Sequence, residues 1–146
     1  MGKLDMKFLR NNIRSVFGLL NKLQPVWWFV LRLWIAKVFF FSGLTKIEDF
    51  DVTLFLFENE YAVPFFSAYF AAVSATFFEL LMPVFIVLGF ATRFAVLPLI
   101  VMTAVIQFTY KEHVEHLYWV ILLSGLLVHG AGKLSVDYLL SRKYKK

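Results

Sequence analysis

The sequence predicts an all-α polytopic membrane protein: a four-transmembrane-helix antiparallel bundle with an N-terminal amphipathic interfacial helix. Three observations carry that reading. The 146 residues are 60% hydrophobic and 17% charged, against about 45–50% and about 25% in soluble domains, and mean hydropathy is +0.72. The apolar residues fall into four runs, 26–44, 63–89, 91–110 and 114–131, each close to the ~20 residues that cross a ~30 Å hydrocarbon core. The net charge of +5 is concentrated at the chain ends, a pattern of membrane topology rather than of nucleic-acid binding.

A chain of this length has room for one domain, 1–146. In its leader, 1–25, Leu9, Ile13, Phe17 and Leu20 recur at helical spacing, with Arg10, Arg14, Asn21 and Lys22 largely on the other side. Such a helix lies along lipid headgroups; a plain basic tail is the alternative. No small-x-small cleavage site follows the first run, so the leader does not read as a signal peptide. The gaps between runs are short, which makes neighbouring helices antiparallel. Pro83 and Pro98 lie inside the second and third runs and predict kinks there.

Orientation follows from the cations outside the runs. Lys3, Lys7, Arg10, Arg14 and Lys22 precede the first, Arg93 lies in the second connection, and Lys133, Arg142, Lys143, Lys145 and Lys146 follow the last, in the basic tail 132–146. Only Lys46 and Lys111 fall on the other side. The positive-inside rule places both termini in the cytoplasm. The first outer loop, 45–62, is acidic and aromatic; a short helix there would bury Phe50, Leu54, Phe57 and Tyr61 along one side, as a lid on the bundle.

Ionisable groups inside spans are costly and mark pairing or function. Counting ~1.5 Å per residue from the span centres puts Arg32 roughly 4.5 Å and Glu79 roughly 3–4 Å to the cytoplasmic side, with Lys37 roughly 3 Å to the outer side. Arg32, Lys37 and Glu79 thus form a candidate intramembrane cluster, with Arg32–Glu79 as its leading pair. Ala68, Ala72, Ala75 and Glu79 make a small-residue stripe that turns Glu79 inward, opposite Phe66, Phe70 and Phe77. The pair could fix helix register, or its spare positive charge could serve a proton or ligand site taking a quinone carbonyl, a carboxylate or a lipid headgroup.

A second polar cluster sits at the outer end: Lys46, Glu60 and Tyr61 with Gln107, His113, His116 and Trp119. His113 and His116 are a weak candidate pair for a metal, although aromatic, His and charged residues also make an ordinary interfacial belt. No cysteine is present, which excludes thiol chemistry, Cys-ligated zinc and iron–sulfur clusters. His116 and His129 lie roughly 20 Å apart along one helix, so two haem ligands at one depth are missing within a monomer. Phosphate-loop, dinucleotide and zinc-protease motifs are absent.

The chain ends its last span with Gly130, Gly132, Lys133, Leu134, Ser135, Val136 and Asp137. This Gly-x-Gly-basic-Leu-Ser-aliphatic-Asp ending resembles that of the DoxX family of small four-helix bacterial membrane proteins. Arg32 between Leu31 and Leu33, Gly43 with Lys46 three residues on, the 57–64 outer-loop segment, Glu79, the 88–93 turn with Arg93, and Trp119 match that family's pattern in order. Ala131 stands where many members have Pro, and Lys37 is an unusual addition. The resemblance implies a multi-pass protein of the bacterial plasma (inner) membrane. It further implies a quinone-linked or anchoring subunit of a membrane oxidoreductase complex, with quinone as ligand and redox proteins as partners. A scaffold that recruits partner proteins and a small transporter or lipid-handling protein are the alternatives, and the Phe-rich outer faces are compatible with a homodimer.

Overall fold

The computed structural model describes residues 3–61, 63, 65–109 and 113–144, and the side chains of 3–9 and 11 lie outside that description. Lys3, Lys7, Leu9, Lys145 and Lys146 of the charge and leader patterns, Ala62 and Pro64 of the outer-loop segment, and Lys111 therefore fall outside the described residues or side chains. Among the described residues there are six helices and no strand: α1 (Lys3–Glu48), α2 (Phe50–Asn59), α3 (Ala68–Leu88), α4 (Thr92–Thr109), α5 (Val114–His129) and α6 (Val136–Lys143).

Three helical stretches, Asn12–Glu48 of α1, α3 and α4, are long and apolar enough to cross a membrane. The apolar α5 has 16 residues and is about 24 Å long. It completes a ring in which α1 packs on α3, α3 on α4, α4 on α5, and α5 on α1. The core is built from one stripe of each helix: Ile35, Ala36 and Phe39 of α1, Ile86 of α3, Val96 and Leu99 of α4, and Leu123 and Leu126 of α5. On α3, Ala72, Ala75 and Glu79 face inward while Phe70 and Phe77 are exposed, on the side that lipid would cover; Phe66, just before the helix, is exposed as well.

The leader and the first span are one helix. α1 runs unbroken for 46 residues through Pro25, about 69 Å at 1.5 Å per residue. Pro25 removes a single N–H, and no glycine or capping side chain beside it ends the helix. The far end is longer than expected too: α1 continues past Leu44 to Glu48. In contrast, α3 starts only at Ala68, where the Ser67 hydroxyl accepts from Phe70 N at 3.3 Å. Pro83 and Pro98 lie within α3 and α4 without ending either.

α2 lies over the N-terminal part of α3. Asp49 caps it by accepting from Val52 N at 3.0 Å. Phe57 is buried against Ala71, Ala72 and Ala75, with Phe50, Leu54 and Tyr61 partly buried beside it. Thr53 adds a tie, donating to the Lys46 carbonyl at 3.2 Å.

The basic tail also carries structure. Asp137, at the start of α6, accepts from Ala91 N at 2.8 Å and Thr92 N at 3.1 Å, which caps the N-terminus of α4. Asp137 N in turn donates to the Gly89 carbonyl at 2.9 Å. Gly89 ends α3 at φ 67°, and a Cβ there would overlap Arg32 Nη1 and Ser135 Cβ, so only glycine suits both the left-handed turn and the close approach.

Candidate functional site: a buried lysine–glutamate pair between two cavities

Gly43 brings the site together. A Cβ at that position would stand 2.9 Å from Leu80 Cγ and 3.1 Å from Glu79 Cβ, so its absence lets α1 and α3 approach closely. One turn further on, Lys46 Nζ reaches Glu79 Oε2 at 2.6 Å and Ser42 Oγ at 2.9 Å. The Glu79 side chain is 4% exposed and that of Lys46 15%. A carboxylate so placed needs a cation or a proton, and a charge-assisted bond to Lys46 answers that need. An ammonium has three N–H donors. Two are engaged here, and among the described residues no third acceptor meets the last.

The pair forms a wall shared by two cavities. One, of about 280 Å³, opens between α3 and α4 beneath α2, against Ala75, Phe78, Pro98 and Val101. Phe70 and Val101 on its rim are exposed on the outer face of the bundle. The other, of about 230 Å³, lies inside the ring and is bounded by Ser42, Thr103, His113, His116 and Trp119. Tyr61, Met102 and Ile106 touch both. A predominantly apolar space with a few convergent polar groups is the usual form of a small-molecule site.

Arg32 and Glu79 do not pair, a correction to the sequence-derived cluster. Extending α1 past Leu44 and starting α3 at Ala68 slides the two helices relative to the register assumed from the hydropathy runs. Glu79 packs against Gly43, about 16 Å further along α1 than Arg32. Arg32 lies instead at the opposite end of the ring, fully buried. Its Nη1 donates to the carbonyls of Ile86 at 3.3 Å and Val87 at 3.4 Å, and its Nη2 to that of Leu134. It therefore satisfies the last carbonyls of α3, where the helix dipole is negative, and joins them to the tail. Lys37 belongs to neither place: it is exposed, with Nζ 5.9 Å from the Phe41 ring centre.

Most of the outer polar cluster meets at the site. Lys46, Tyr61, His113, His116 and Trp119 line the inner cavity, and Gln107 Oε1 is 2.9 Å from His116 Nδ1. Glu60 is exposed at the end of α2, outside both cavities. The rings of His113 and His116 are 5.6 Å apart, and among the described residues no group of three His, Cys, Asp or Glu side chains is placed to hold a metal. Of the motif residues, Gly130, Gly132, Ser135, Asp137 and Arg93 sit at the termini end, away from the pair. Ser42, Met102 and Thr103 had no signal of their own in the sequence. Lys46 had one: it follows Gly43 by three residues, and so shares its helix face.

The family model described as DoxX matches residues 27–112, which contain the pair, α2 and both cavity-lining stretches of α3 and α4. No curated protein and no solved structure matches the chain.

Proposed function

The chain belongs to the DoxX family, and from that premise we propose that it is a quinone-linked subunit of a membrane oxidoreductase complex, with the Lys46–Glu79 pair as the polar end of its quinone site. One observation carries the reading: a buried cation–carboxylate pair with a spare ammonium donor among the described residues lies between an apolar cavity rimmed by residues on the outward-facing side of the bundle and a more polar cavity inside the ring. The residues fit a quinone head. A planar ring suits the slot beside Phe78 and Met102, and a ring carbonyl accepts the third Lys46 proton. A prenyl tail leaves between α3 and α4 into lipid.

Reduction of a quinone to a quinol takes two electrons and two protons. With no cysteine and no opposed haem ligands in the sequence, the electrons come from a partner protein, and this chain's part is to bind, orient and hand over protons. Glu79 and Lys46 are the groups placed to do so, with His116 across the inner cavity. The family supports a bacterial plasma-membrane location, and the cation distribution supports both termini on its cytoplasmic side. Impermeant labelling of single introduced cysteines, in a chain that has none, reads that orientation.

The test is to identify small molecules retained by protein extracted in native lipid, comparing wild type with Glu79→Gln and Lys46→Gln. Stoichiometric quinone on wild type, lost from still-folded variants, supports the site. No quinone on any of the three refutes it.

A further inference from the structure

We propose a second binding site, for a phosphate ester, in the cavity at the opposite end of the bundle. It measures about 520 Å³ and lies between Trp28 of α1, the first turn of α4, the loop after α5, and α6. Helices α3, α4 and α5 end beside it at Leu88, Thr92 and His129, so the cavity is at the depth where hydrocarbon gives way to headgroups.

Its charges favour an anion. Arg93 and Lys133 line it together with His129, and Asp137 is the lone carboxylate among the lining residues. Both Asp137 oxygens accept from the amides of Ala91 and Thr92, so its carboxylate is held on the α4 N-terminus and pairs with neither Arg93 nor Lys133. Arg93 is anchored by one bond, Nη2 to the Val128 carbonyl at 3.1 Å, which leaves the rest of its five-donor guanidinium fork. Lys133 is exposed and has no ion pair among the described residues. Aromatic rings make up much of the remaining wall: Trp28 stacks on His129 with centroids 4.1 Å apart and planes at 11°, and Tyr138 and Phe94 also line it.

An arginine fork and a lysine point charge in a cavity lined by aromatic rings suit a tetrahedral phosphate whose ester carries an apolar or glycerol group. An anionic phospholipid headgroup and a soluble phosphate monoester share that chemistry. The site is independent of the quinone reading, since none of its lining residues borders the Lys46–Glu79 cavities.

The test uses the full chain in two arms. In the first, protein in bilayer discs of equal phosphatidylcholine and phosphatidylglycerol is released into native mass spectrometry and its retained lipids counted. In the second, discs of phosphatidylcholine alone are titrated with inorganic phosphate and with glycerol 3-phosphate. Lys133→Gln and Arg93→Gln are run beside wild type, with the thermal unfolding midpoint as the fold control; should Arg93→Gln unfold, the exposed Lys133 decides alone. Phosphatidylglycerol enriched on wild type and reduced roughly tenfold by either substitution supports a lipid headgroup. Saturable phosphate-ester binding with the same residue dependence, without lipid enrichment, supports a soluble ligand. No anion preference in either arm, or a preference that both folded variants keep, overturns the site.

Discussion

Lys46 and Glu79 hold each other's charge in a place where neither could stand alone. Removing one partner of a buried pair costs about 3–5 kcal/mol, whereas replacing both by apolar groups is often neutral. Lys46→Met alone is expected to lower stability by about that amount, discounted for the 15% exposure of its side chain. The double variant Lys46→Met/Glu79→Leu is expected to unfold near wild type in detergent while retaining no quinone. Denaturant titration of the three proteins checks this; a double variant as unstable as the single would show that the pair is required for folding. Arg32 has a different task. Its guanidinium takes up the last carbonyls of α3 and the Leu134 carbonyl, so the charge that the sequence suggested as Glu79's partner binds helix ends together.

At the scale of elements, hydropathy told which segments are helices and much less about where they stop. The four apolar runs correspond to α1, α3, α4 and α5, and the aromatic spacing of the 45–62 segment corresponds to α2. Register was not legible, because it depends on helix ends. The polar turn to Glu48 extends α1, and the Ser67 cap delays α3, and together these moved Glu79 from Arg32 to Lys46. Nor did the hydropathy reading reveal that the start of α6 is tied to the turn between α3 and α4, since a short polar helix carries no hydropathy signal and its ties are a few hydrogen bonds of Asp137 and Leu134. Asp137→Ala removes the α4 cap, a change worth about 0.5–2 kcal/mol. Hydrogen exchange should then rise in the first turn of α4 and in α6 while the middle of α3 stays protected. Unchanged exchange at both places would show that the tail is held by other contacts.

For the whole molecule, polarity is divided between two ends. One end holds Arg32, Asp137 and the cationic cavity; the other holds the lysine–glutamate pair, roofed by α2 and flanked by an apolar cavity and a more polar one. The sequence named most residues of both groups, because ionisable and glycine positions stand out in an apolar chain. It misjudged their partners, because pairing is a property of the assembled ring. The central claim is that the end covered by α2 receives a quinone head beside Glu79. Photocrosslinking with an azido-quinone in lipid discs, followed by peptide mapping, tests it directly. The account predicts labelling in α3 around Ala75–Phe78 and in α4 around Met102, competed by unlabelled quinone and lost in Glu79→Gln. Labelling confined to the outward-facing phenylalanines, uncompeted and indifferent to Glu79, would contradict it.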